Sequence, residues 1–292
     1  MRITHSMIPI PRKFRTENQS DIGKVAGIKA FMTRTDSAFH VPDFAEERIS
    51  HDFLLGGSVT LKQPVDGYRA AVDAVLLAAS VSINSRRDQK ILDVGAAVGS
   101  AGLCVARRLP DAEVTGVELQ DDLYALFCRN IVENDLVGRV TPVHGDINDR
   151  SLPLVAESFD QVISNPPFYA GGTRPANESR AKAHQEGTAD LKDWIHFCLK
   201  MVRQKGRITI VHRADHLDRI IGLLHGRAGD MTIYPVWSKA SADAPLRVIV
   251  SARKGVSSPV TLRRGIVLHD EAGNWMREAD DILRDISCLP GF

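Results

Sequence analysis

The sequence predicts an α/β protein with a doubly wound, mostly parallel sheet. Three observations carry that expectation. Short apolar, β-branched runs alternate with amphipathic helical stretches between residues 90 and 212, the pattern of successive βαβ units. Gly95, Glu118, Asp146 and Asn165 stand at the ends of those runs, where open α/β sheets bind ligands. The last two runs, Met231–Trp237 and Leu246–Ala252, have no helical stretch between them. They fit an antiparallel-capable strand pair that closes a parallel sheet.

Residues 1–50 are polar and weakly periodic, and read as a mostly disordered basic arm. Over residues 1–35, Arg2, Arg12, Lys13, Arg15, Lys24, Lys29 and Arg34 outnumber Glu17 and Asp21. Two origins fit: an arm that touches nucleic acid, or a reading frame extended upstream of a start at Met32. Residues 51–255 form the catalytic-type domain, and 256–292 an extension packed on it. Asp73 precedes an apolar helix over Ala74–Ala79 and suits its N-cap.

Lys90–Val94 is a short strand that runs into Asp93-Val94-Gly95-Ala96-Ala97-Val98-Gly99. A helix follows over Ala101–Leu109. The strand Glu113–Val117 ends at Glu118. Leu123, Leu126, Phe127, Asn130 and Ile131 share one face of a helix over Leu123–Glu133. Val140–Val143 ends in His144-Gly145-Asp146, and Phe159–Ser164 ends in Asn165-Pro166-Pro167-Phe168. Leu191–Met201 reads as a helix with Leu191, Trp194, Ile195, Cys198 and Leu199 on one face. Arg207–His212 is the next strand.

Composition excludes some classes. A net charge of +1 argues by itself for neither a nucleic-acid nor a membrane surface. No apolar run approaches the roughly 20 residues of a membrane span, and the start has no apolar h-region of a secretory signal. Cys104, Cys128, Cys198 and Cys288 form no C-x-x-C pair. That spacing suits neither a disulfide framework nor a zinc site, and fits a reducing cytoplasm. The expectation is a cytoplasmic protein without metal, acting as a monomer.

The strand ends suggest a nucleoside cofactor. Small residues from Gly95 to Gly99 let backbone approach a ligand closely. Glu118 stands 23 positions after Gly95, where an acid commonly bonds ribose hydroxyls. Asp146 is placed for an adenine amino group. At the fourth strand end, Pro removes backbone donors and fixes φ, and the residue before it is held extended. Asn165 and Pro166 then offer acceptors to a planar amino group, and Phe168 a flat surface.

Taken together, Asp93-Val94-Gly95-Ala96-Ala97-Val98-Gly99 and Asn165-Pro166-Pro167-Phe168 resemble the class I S-adenosylmethionine-dependent methyltransferases over residues 50–255. The resemblance implies a Rossmann-like, seven-stranded sheet with a reversed last strand. It also implies S-adenosylmethionine bound by Asp93, Gly95, Gly99, Glu118, Asp146 and Asn165. Ala97 departs from it, standing where the family usually has Gly.

The segment Leu61 to Ala79, with Tyr68, Arg69 and Asp73, is similar to the bacterial adenine-N6 methyltransferases acting on valine tRNA. That likeness implies that Arg69 pairs with the cofactor's carboxylate. It names an unpaired adenine in tRNA, bound by Phe168 and Tyr169, with Arg174, Arg180 and Lys182 on RNA phosphates. Asn165, Pro166 and Phe168 are then the catalytic positions. The alternatives are an rRNA guanine-N2 methylase, a glutamine-N5 methylase acting on a release factor, and a non-catalytic cofactor-binding RNA module.

Overall fold

The computed structural model describes residues 48–66, 69, 72–82, 88–167 and 189–292. The basic arm through residue 47, Tyr68, Phe168, Tyr169, Arg174, Arg180 and Lys182 lie outside the described residues. The core is a sheet whose centre is β3 (Lys90–Val94). On one side of it follow β4 (Glu113–Glu118) and β5 (Val140–His144). On the other side follow β6 (Phe159–Ser164) and β7 (Val202–Arg213). All four of these pairings are parallel.

Beyond β7 the direction reverses. The strand β9 (Arg247–Lys254) runs antiparallel to both β7 and β8 (Ala228–Lys239), and is slotted between them. The expected reversal of the last long strand is therefore present. Among the described residues, the seven long strands β3 to β9 match the expected count, and two short strands bring the sheet to nine. The short strands β10 (Thr261–Leu262) and β11 (Ile266–His269) pair in parallel with the outer strand β8. They come from the chain after residue 255, where the sequence shows no alternation long enough to read as a strand.

Alternation along the strands splits the core into two faces. Ile91, Ile163, Val211 and Ile249 point to one face, with α1 (Val72–Ala79), α2 (Ser100–Arg108) and α3 (Asp121–Glu133). Leu92, Val94, Val162, Ile208, Ile210 and Val250 point to the other, with α4 (Leu191–Met201) and α5 (Leu217–Leu224). The helix α4 starts cleanly because Asp190 and Asp193 form a reciprocal capping box. The last helix, α6 (Arg277–Arg284), joins the first face through Ala279 and Ile282. Arg108 fastens the tail there, donating to Ile286 O at 3.2 Å, to Cys288 Sγ at 3.0 Å and to Ala78 O.

A hairpin not read from the sequence precedes α1. It joins β1 (Ile49–Leu54) to β2 (Val59–Pro64) through a turn with Gly56 and Gly57 at positive φ. The free edge of β2 carries backbone donors and acceptors that need partners. Two buried asparagines supply them, Asn130 within α3 and Asn134 at its C-cap. Lys62 N–H donates to Asn130 Oδ1 at 2.8 Å, and Asn130 Nδ2 donates back to Lys62 O at 2.9 Å. One turn further on, Asn134 does the same for Thr60, at 2.9 and 2.7 Å. Asn130 Nδ2 also donates to Val98 O at 2.9 Å, which ties the hairpin to the turn after β3.

Asn130→Ala orphans the Lys62 backbone pair and the Val98 carbonyl while opening a small void. Each buried orphan costs about 1–3 kcal/mol, so the expected loss is at least about 2 kcal/mol in chemical denaturation. A loss below about 0.5 kcal/mol would show that the hairpin does not depend on this contact.

Candidate active site at the carboxyl ends of the strands

The sheet order reverses at the boundary of β3 and β6, and this switch point is where such sheets bind ligands. Register puts the strand ends level. Val94 is opposite both Val117 and Ser164, and Glu118 is opposite His144. The residues that follow, Gly95 and Asn165, are therefore neighbours along this edge. Ser164 Oγ donates to Val94 O at 2.8 Å and pins the two strand ends together.

The turn from β3 into α2 is bent by positive φ at Gly95 (74°), Ala97 (50°) and Gly99 (85°). Packing also requires the glycines. A Cβ on Gly99 would lie 2.1 Å from the Phe127 ring, and one on Gly116 2.5 Å from it. Phe127 is fully buried in the notch that these two glycines leave. A Cβ on Gly95 would lie 2.5 Å from Cη2 of Trp194, whose indole rests on the turn.

Two carboxylates hold the turn. Asp93, 2% exposed, accepts from Gly102 N–H at 2.9 Å and so anchors the first turn of α2. Burial, then the nearby Glu118 charge, push the Asp93 carboxyl up to about 7, against the pull of the Gly102 N–H. Glu118 Oε2 accepts from Ala97 N–H and Oε1 from Gln120 N–H, each at 2.8 Å. Burial raises its pKa, while the backbone donors and His144 oppose the rise. A carboxylate has about four lone-pair positions, so Glu118 keeps acceptor capacity after these two bonds. Glu118 thus fits the hydroxyl pair of a ribose. Asp93, enclosed beneath the turn, fits a supporting role.

Asp146 Oδ1 accepts from Asn148 N–H at 2.8 Å, an Asx turn that leaves its second oxygen over. Arg69 lies elsewhere in the network: its terminal nitrogens donate to Asp52, Ser50 and Pro64 O, holding the first hairpin. Asp73 accepts from Arg247 Nε at 2.9 Å, joining α1 to β9. Pro166 is buried and Pro167 exposed. The side-chain oxygen of Asn165 is buried and has no hydrogen-bond partner among the described residues. Buried acceptors are nearly always paired, so Asn165 Oδ1 marks a place where a ligand donor belongs. Reading the sequence for local motifs missed Ser164, Phe127 and Trp194 as parts of this site. Their apolar spacing placed Phe127 and Trp194 only in the core.

Left-handed backbone costs an alanine about 1 kcal/mol more than a glycine, so Ala97→Gly is expected to stabilise the protein by up to about 1 kcal/mol. Thermal unfolding at one pH checks it, and a destabilised variant would show that the methyl group packs favourably. An acid whose folded pKa lies above its unfolded value binds more protons folded than unfolded. The Asp93 contribution therefore falls as pH rises from about 4 through 7. Asp93→Asn keeps an acceptor for Gly102 and removes the charge. Denaturation between about pH 5 and 8 should show a flatter decline in stability than the parent; an unchanged slope contradicts the assignment.

Comparison with known proteins points to a methyltransferase fold. Residues 72–216 match the family model of the methyltransferase small domain. A tRNA1(Val) (adenine(37)-N6)-methyltransferase of Porphyromonas gingivalis is 30% identical over 154 residues, 51% of this chain and 60% of its own length. The match thus spans less than two thirds of that relative. One from Shewanella sp. (strain MR-4) is 28% identical over 224 residues, 75% of this chain and 92% of its own length. Among solved structures, a predicted O-methyltransferase of Agrobacterium tumefaciens, Atu636, aligns with a TM-score of 0.61 at 26% identity. That alignment covers 74% of this chain and 98% of the other. TYW2 of M. jannaschii in complex with AdoMet shares the fold, with a TM-score of 0.50 at 16% identity over 72% of this chain and 87% of its own. Residues 72–216 thus resemble the methyltransferase small domain, and the chain has the class I methyltransferase fold.

Proposed function

We propose that the chain transfers a methyl group from S-adenosylmethionine to the exocyclic N6 of an unpaired adenine in tRNA, in the anticodon loop of valine tRNA. The observation that carries this reading is the buried, unpartnered Oδ1 of Asn165 at the switch point. Curated relatives named for adenine-N6 methylation of tRNA1(Val) support the choice of acceptor. When bound, the cofactor supplies a methyl group on a sulfonium, which leaves as a neutral thioether.

The residues of the chain then divide the work. Gly95 and Gly99 bend the turn that receives the donor, Glu118 accepts from its ribose hydroxyls, and Asp146 accepts from its adenine amine. Asp93 holds the turn from below. Arg69 is the proposed partner of the carboxylate end, through the Nε–H that Asp52, Ser50 and Pro64 leave over.

Asn165 Oδ1 accepts one N–H of the target amine and the Pro166 carbonyl the other. That grip turns the delocalised nitrogen lone pair toward the methyl carbon. The bound cofactor would supply the methyl carbon to that nitrogen, and the carbon–sulfur electron pair would stay with sulfur. The extra proton on nitrogen then passes to solvent. Catalysis is mainly alignment of the three atoms. Phe168 and Tyr169 are the proposed stacking surfaces, and Arg174, Arg180 and Lys182 the proposed phosphate contacts.

Nucleoside mass spectrometry of tRNA and rRNA from a deletion strain tests the substrate. Loss of N6-methyladenosine from a valine tRNA is the expected result, restored by the parent gene and not by Asn165→Ala. The purified Asn165→Ala protein should retain cofactor binding in titration and lose turnover by roughly 100-fold or more. Loss of N2-methylguanosine from rRNA instead, or undiminished methylation by the variant, would overturn the reading.

A further inference from the structure

Trp194 stands at the same point of the carboxyl edge as Asn165. The β3–β6 register pairs Val94 with Ser164, so Gly95 and Asn165 follow side by side. Trp194, from α4, lies on Gly95 so closely that any side chain there would strike its ring. Its Nε1–H is buried and has no hydrogen-bond partner among the described residues, as is true of Asn165 Oδ1. Among the described residues, one unpaired buried donor, on α4 over Gly95, and one unpaired buried acceptor, after β6, thus lie along the same stretch of the carboxyl edge. Two such orphans at one place are costly in a free protein and are the polar lining expected of a binding site. An indole nitrogen can only donate. Its ligand partner is therefore an acceptor atom, placed beside the amine that Asn165 accepts.

We propose that Trp194 selects the acceptor base by donating from Nε1 to an unprotonated ring nitrogen next to the target amine. This inference rests on the adenine-N6 reading and deepens it. Adenine presents that pair of groups on both of its polar edges, as N6 with N1 and N6 with N7. The Watson–Crick edge of guanine puts a donor, N1–H, beside its amine, and two donors would then face each other unpaired. Guanine offers an acceptor beside its amine only at N3, on the sugar edge, so Trp194 rejects guanine presented by its Watson–Crick edge, which Asn165, an acceptor for any amine, does not.

The test pairs one substitution with one atom change in the substrate. Synthetic valine-tRNA anticodon stem–loops carry adenosine, 1-deazaadenosine or 7-deazaadenosine at the methylated position, and kcat/KM is measured for the parent protein and Trp194→Phe. The parent is expected to lose roughly 10- to 100-fold on one of the two deaza substrates, where the indole N–H is left unpaired. Trp194→Phe is expected to lose roughly 3- to 10-fold on adenosine and to treat that deaza substrate like adenosine. Which analogue shows the effect identifies the edge, N1 or N7. A deaza penalty of the same size in both proteins, or none in the parent, overturns the inference and leaves the adenine reading standing. A parent that methylates none of the stem–loops overturns both. Thermal unfolding accompanies the assay: Trp194→Phe removes an unpaired donor and should unfold no earlier than the parent, so a general loss of structure is recognised separately.

Discussion

The turn between β3 and α2 hangs on two buried carboxylates, and the rest of the site is built around that attachment. Asp93 reaches forward to Gly102 N–H and Glu118 reaches across from the neighbouring strand to Ala97 N–H. One bond fixes where α2 begins, and the other fixes the turn against β4. Both acids sit where water is excluded, so each hydrogen bond is made in a low-dielectric setting and gains strength from it. The cost is desolvation, which pushes both pKa values up, joined at Asp93 by the nearby Glu118 charge.

That arrangement explains why an alanine persists at φ 50°. Local strain is kept when surrounding contacts over-determine the backbone. Ala97 is held on one side by Glu118 and is 5% exposed within the first core face. Phe127, wedged between Gly99 and Gly116, blocks relaxation of the turn toward α3. Asn130 ties Val98 to the hairpin on the far side of the same helix. The helix α3 therefore braces the turn twice, once by an apolar wedge and once by an amide.

Much of this was legible because it is local. The strand run from Lys90 to Val94, the acid at Glu118 and the string from Asn165 to Pro167 are short patterns whose chemistry lies within a few residues. The hairpin was harder. Val59, Leu61 and Gln63 do alternate inward beside a Gly-Gly turn, yet the strand edge is completed by Asn130 and Asn134, 68 and 74 positions away. Periodicity carries no information about such partners. For the same reason β7 begins at Val202 rather than Arg207: its first residues are polar, and only pairing of Val202 with Phe159 makes them a strand. Trp194 was legible as a core residue and not as a neighbour of Gly95, since that contact joins α4 to a turn about 100 positions earlier.

The division of labour in the proposed reaction follows from where charge is before and during methyl transfer. The donor carries its positive charge on sulfur from the start, so the acids that hold its side of the site favour binding as much as they favour reaction. Interactions equal in the ground and transition states raise affinity without raising the rate of the bound complex. The acceptor nitrogen begins neutral and becomes positive as the new bond forms. A hydrogen bond from a neutral amine contributes about 0.5–1.5 kcal/mol, and one involving a charged group about 1.5–3 kcal/mol. In the proposed reaction the oxygen of Asn165 would receive that increase only as the transition state is approached, a gain of about tenfold in rate. A neutral amide collects it without burying a third carboxylate beside Asp93 and Glu118, whose raised pKa values show that the site has little capacity for more negative charge.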